Sequence, residues 1–187
     1  QFKIHKLGAL RDTSFEYKPF MIFSGDSGLG KSYAAFLSYY FLNSLMGEFA
    51  LVPFIEDVSG KKASEINQLD RFSITITFKQ YRDWLNRTVS RFIGYLIGNE
   101  GLEANLEIDF DVEKPDFVIG YETVKRSGER VLYTFLNDTS PVIHTSPRPN
   151  INHLGITCQT HLTLSLLGIG YQRNMLLPPA RAALMGA

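Results

Sequence analysis

Three kinds of hydrophobic pattern alternate along the chain, and each predicts a different kind of element. Near the start, Phe2-Lys3-Ile4-His5 and Phe15-Glu16-Tyr17 alternate, and Phe20-Met21-Ile22-Phe23 is a short unbroken apolar run. Residues 2–24 therefore predict a strand, a turn and another strand, the run at 20–23 suiting a strand buried on both faces. Residues 33–42 contain no Gly or Pro and are apolar nearly all round. They predict a buried helix ending near Gly47. Between 78 and 97, Tyr81, Trp84, Leu85, Val89, Phe92, Ile93, Leu96 and Ile97 recur at helical spacing, and Gly98-Asn99 closes the run. This is the best-defined amphipathic helix in the chain.

The intervening and following stretches are less regular. The apolar residues of 49–55 are interrupted by Pro53 and followed by Ser59-Gly60-Lys61-Lys62, so 48–70 reads as a surface loop or small excursion. Ser73-Ile74-Thr75-Ile76-Thr77 is β-prone, and Leu106-Glu107-Ile108-Asp109-Phe110-Asp111-Val112 alternates as a strand with one wet face does. Two strands, 116–123 and 129–136, are joined through Lys125-Arg126-Ser127-Gly128 as a hairpin. Residues 137–151, with Pro141, Pro147 and Pro149, read as a loop; 151–167 as a helix; 174–177 as a short apolar segment before Pro178-Pro179. The expected class is α/β with an added antiparallel β element and helices. The expected domain is single over 1–187, with a phosphate-loop core at about 1–47, a helix and antiparallel insert at about 73–136, and a C-terminal helix and Pro-Pro strand at about 151–187.

Composition narrows this little. A length of 187 residues with 44% hydrophobic and 13% aromatic residues belongs to a folded chain with a real core. Lys+Arg and Asp+Glu are both 19, so no net charge draws the chain to nucleic acid or to an anionic surface. Cys158 is the only cysteine, which excludes an internal disulfide and fits a reducing, cytoplasmic setting as a small buried residue. No stretch approaches the roughly 18 apolar residues of a membrane span, and no partner membrane is expected. The chain begins at Gln1 rather than Met and stops after an apolar, Pro-rich run, which suggests a fragment of something longer.

The chemistry concentrates at Gly25-Asp26-Ser27-Gly28-Leu29-Gly30-Lys31-Ser32, which satisfies G-x-x-x-x-G-K-[ST] in full. An apolar run precedes it and a helix follows. Its three glycines let backbone N–H groups turn inward around a phosphate, and the helix N-terminus adds partial positive charge there. Nucleotide contact is thus expected from Gly25, Asp26, Ser27, Gly28, Leu29, Gly30, Lys31, Ser32 and Tyr33, with ATP and Mg²⁺ as ligands. Lys31 is expected to bridge the β- and γ-phosphates and the Ser32 hydroxyl to ligate Mg²⁺. A second acidic group normally ends an apolar strand nearby. Glu56-Asp57 after the 49–55 stretch is the nearest match, but Pro53 removes a ladder bond and favours a decoy. Asp116 and Glu122 flank a run weakened by Gly120. Asp109 and Asp111 sit in an alternating strand, the pattern of a solvated face. The catalytic half is therefore expected to lie outside this chain. His144, His153 and His161 show no metal spacing with one another or with Cys158.

The N-terminal segments Phe2-Lys3-Ile4, Leu7-Gly8-Ala9-Leu10-Arg11-Asp12 and Phe15-Glu16-Tyr17-Lys18-Pro19-Phe20, leading into the loop, resemble the start of ABC-type ATPase heads. The branch they resemble is the RecF/SMC-like and OLD-like group, often called AAA-family ATPases. Asp26 and Ser27 depart from that group, where Pro or Glu and Asn are common. Met175-Leu176-Leu177-Pro178-Pro179-Ala180-Arg181-Ala182-Ala183-Leu184 resembles the h-L-P-A-x-R-x-G-h segment of OLD-like bacterial ATPases. The resemblance implies the first lobe of an ATPase head, truncated before the signature and Walker B motifs. It also implies head-to-head pairing or completion by the rest of the parent chain, and a role in DNA maintenance or phage defence. Gln172 would be the group's Mg²⁺-contacting glutamine, or else a surface polar residue. Leu164-Ser165-Leu166-Leu167-Gly168 faintly echoes a signature motif but reads as core. Two other functions stay open: a small phosphate-loop kinase or GTPase complete in this chain, although no N-K-x-D is present, and a non-hydrolysing module switched by nucleotide.

Overall fold

The computed structural model describes residues 1–18, 21–28, 30–47, 51–110, 114–126, 129–137, 142–144 and 150–167. Among these residues five helices and seven strands make a mixed α/β fold with two small sheets, in which every strand pairing is antiparallel. Strands β1 (Phe2–Leu7) and β2 (Leu10–Phe15) form a hairpin, and β4 (Ala104–Ile108) joins β1 on its other side. The second sheet runs β3 (Arg71–Ile76), β5 (Phe117–Arg126), β6 (Glu129–Leu136) and β7 (Val142–His144).

The alternation in β1 buries Phe2, Ile4 and Leu7 against the helices, and Gly8 turns the hairpin at φ 58°. Helix α1 (Lys31–Met46) is the hub, with Leu37, Tyr40, Phe41 and Leu45 buried. It packs against both α4 (Phe78–Ile97) and α5 (Ile151–Leu167). Its polar side chains inside that contact are all partnered. The Tyr40 hydroxyl donates to the Leu85 carbonyl at 2.9 Å and sits 2.6 Å from Thr88 Oγ1. Ser44 Oγ donates to the Phe41 carbonyl and lies 2.7 Å from the Tyr81 hydroxyl. The last carbonyls of α1 receive donors from α5: Thr163 Oγ1 to Leu45 and Gln159 Nε2 to Gly47, both 2.7 Å. Such bonds satisfy acceptors that a helix end otherwise leaves orphaned.

Helix α4 begins with a capping box. The Gln80 N–H donates to Thr77 Oγ1, and the Thr77 N–H donates to Gln80 Oε1. It ends at Gly98, left-handed at φ 68°. Asn86 on this helix reaches β4, donating to the Ile108 carbonyl at 3.1 Å and accepting from its N–H at 2.7 Å.

Several sequence expectations are corrected. Residues 21–24 form no strand, and Ile22 is 75% exposed, so the apolar run before the loop is not buried on both faces. Residues 48–70 are no loop where described: α2 (Val52–Ser59) and α3 (Ala63–Ile66) bury Phe54, Ile55 and Ile66. Pro53 stands in the first turn of α2, where its missing N–H costs nothing. Strand β4 ends at Ile108 rather than 112, and the Pro-rich 137–151 stretch contains β7. The expected Pro-Pro strand lies outside the described residues. No helix among the described residues is long and apolar enough to cross a membrane.

Candidate functional site

Residues 25–32 lead directly into α1. Gly25, Gly28 and Gly30 all have positive φ, at 132°, 86° and 83°, a region costly for residues with a Cβ. Gly30 is the N-cap, and no side chain caps this helix end; the first turn carries no acidic residue. The Ala34 N–H reaches the Gly30 carbonyl at 3.2 Å, so the N–H groups of Lys31, Ser32 and Tyr33 precede the first intrahelical bond. They carry the positive end of the α1 dipole. Lys31 Nζ folds back across the loop and donates to the Asp26 carbonyl, closing the segment into a ring. Of the motif residues, Gly25 to Gly28 and Ser32 are exposed, Lys31 is half-buried and Gly30 is buried; Leu29 lies outside the described residues.

Tyr33 is half-buried, with its ring against Gly8 in the β1–β2 turn. Leu10 packs against Gly30 from the same turn. In the sequence Gly8 and Leu10 stand out only as part of the 7–12 segment, with no role at the loop. A Gly-Ala pair between two alternating runs signals a turn, but nothing local signals that the turn touches a loop some twenty positions later.

Three of the candidate acids, Glu56, Asp57 and Asp109, are engaged elsewhere. Glu56 and Asp57 sit on α2, not at a strand end. Glu56 Oε1 accepts from the Ala63 N–H at 2.6 Å, and Asp57 pairs with Arg87 at 2.5 Å. Asp109 follows β4 and meets Lys3 and Arg82. Asp116 is exposed beside β5, and Glu122 lies within it. Gln172 and Arg181 lie outside the described residues. Among the described residues no three His, Cys, Asp or Glu side chains cluster as a metal site. Cys158 is buried, and burial pushes its thiol up, away from the thiolate a nucleophile needs. His161 packs against Phe117 with ring centroids 4.3 Å apart; burial, then Lys114, holds its pKa down. A cavity of about 450 Å³ opens between Phe2, Tyr17, Phe41, Asp109 and Phe110, and no residue of 25–32 lines it.

No protein-family model, no curated protein and no solved structure matches this chain. Geometry alone therefore carries the functional reading.

Proposed function

We propose that residues 25–32 bind the triphosphate of a nucleotide, ATP with Mg²⁺. The observation that carries this reading is the ring closed by Lys31 on the Asp26 carbonyl, hinged on three positive-φ glycines at an uncapped helix start. An uncapped N-terminus with a lysine beside it and no carboxylate in its first turn suits a polyanion and nothing cationic. The donor set fits the magnesium complex as well. Lys31 would hold phosphate oxygens, the 31–33 N–H groups would orient them, and the exposed Ser32 hydroxyl would hold the metal. Bound Mg²⁺ would supply neutralisation of the β- and γ-phosphate charge.

The wider proposal is a phosphate-loop NTPase core, the first lobe of an ABC/SMC-like ATPase head. Hydrolysis and a DNA-maintenance or defence role would belong to the assembled protein, with a second head or the rest of the parent chain completing the site. A nucleotide-switched module without hydrolysis is the second reading. It is favoured by the engagement of Glu56 and Asp57 on α2, which also argues against a kinase or GTPase complete in this chain.

Calorimetric titration with magnesium ATP tests the proposal. The 187-residue chain should bind, and Lys31→Ala should not. Equal binding by the two would mean that the loop assignment is wrong. Fast turnover by this chain alone would leave binding intact but sink the half-head reading.

A further inference from the structure

The β1–β2 turn and the loop are joined by two reciprocal contacts, each of which needs a glycine. On the turn, Gly8 is left-handed, and the Tyr33 ring lies where its Cβ would stand. On the loop, a Cβ at Gly30 would fall 2.7 Å from Leu10 Cγ and Cδ2 and 3.3 Å from the Leu10 backbone nitrogen. Turn and loop therefore each present a bare backbone to the other's side chain. The turn is itself stapled: Arg11 Nη1 donates to the carbonyls of Gly8 at 2.5 Å and Leu10 at 2.7 Å. Gly30 immediately precedes Lys31, and Tyr33 follows it by two, so both contacts bracket the first turn of α1.

We infer that the β1–β2 turn is a positioning element for the phosphate loop, with Gly8, Leu10 and Tyr33 as positioning residues. The inference rests on the triphosphate reading above. The three N–H groups at residues 31–33 converge only if the start of α1 is held in place, and the irregular 21–24 segment brings no strand ladder to hold it. The interlock supplies that support from the hairpin side. Donors misplaced by a fraction of an ångström lose much of their value to a bound anion. The coupling also runs both ways: a ligand that needs the interlock must in turn stabilise the hairpin.

A purely local account makes a different forecast. If Gly8 matters only for its left-handed backbone, Gly8→Ala strains the turn and lowers stability whatever stands at position 33. It would then leave the affinity of the folded protein alone.

The test is titration with magnesium triphosphate, the inorganic ligand, on four forms of the chain: wild type, Gly8→Ala, Tyr33→Ala and the double variant. Thermal melts define a temperature at which each is folded. Gly8→Ala should weaken binding at least about 10-fold in the wild-type background and less than about 2-fold in the Tyr33→Ala background. Added triphosphate should also slow amide hydrogen exchange in the β1–β2 ladder of the wild type. Wild-type affinity in Gly8→Ala, or equal losses in both backgrounds, overturns the inference while leaving the loop reading intact. If Gly8→Ala does not fold, Leu10→Ala decides: it should weaken binding about 3-fold or more, and unchanged affinity overturns the inference. Absence of binding by the wild type would sink the loop reading and this inference together.

Discussion

The two ends of α1 are built on opposite principles. At its C-terminal end, Ser44 meets Tyr81, and α5 supplies Thr163 and Gln159 to the Leu45 and Gly47 carbonyls. At its N-terminal end no side chain caps the helix, and the N–H groups of residues 31–33 precede its first intrahelical bond, beside the exposed Gly25 to Gly28. A helix that satisfied both ends internally would be a better structural strut and would have nothing to offer an anion. Anchoring one end by packing lets the other hold its donors open without fraying.

That contrast can be broken at either end. Leu45→Ala, at the packed end where Leu45 is fully buried, should cost about 2–5 kcal/mol of stability in a denaturant titration, while the affinity of the folded protein is kept. Alkaline pH attacks the same end. Burial raises the pKa of Tyr40 and of Tyr81 above the ordinary value of 10.0. The unfolded chain therefore releases these protons first, and stability should fall as pH rises above about 10. Each buried phenol should contribute about 1.4 kcal/mol per pH unit. A stability curve flat from pH 9 to 11 would contradict the packing assigned to the pair. Lys31→Ala, at the open end, should lower magnesium ATP affinity at least about 100-fold, or about 2.7 kcal/mol, with a melting temperature within a degree or so of wild type. The smallest effect belongs to Tyr81→Phe, which removes one buried hydroxyl partner from Ser44. It should cost about 1 kcal/mol and leave binding unchanged. Loss of binding there would mean that the two ends are not separable.

Much of the fold was legible where one local signal sufficed. The 3.6-residue apolar spacing over 78–97 and the closing Gly98 together define α4. The polar Lys125-Arg126-Ser127-Gly128 stretch pointed to the β5–β6 hairpin, although β5 runs on to Arg126, past its expected end at 123. The α2 segment misled because Pro53 carries two opposite meanings: it breaks a central strand and starts a helix equally well. The 20–23 run misled because a short apolar stretch carries no information about what covers it, and Ile22 stays in solvent. The loop was legible as a motif because its glycines and lysine all fall within eight consecutive residues. Its backing was not, because Gly8 and Tyr33 meet only through the tertiary fold, and a small residue in a turn has a sufficient local explanation already.

Asn86 has a consequence for assembly. Its side-chain amide engages both the N–H and the carbonyl of Ile108, the two backbone groups through which another strand would pair at that point. The amide thus works as a one-residue strand, and a helix fixes it there. Any edge-to-edge growth of the first sheet, whether with a partner or in aggregation, is blocked at that point of β4 and is steered toward β2 instead.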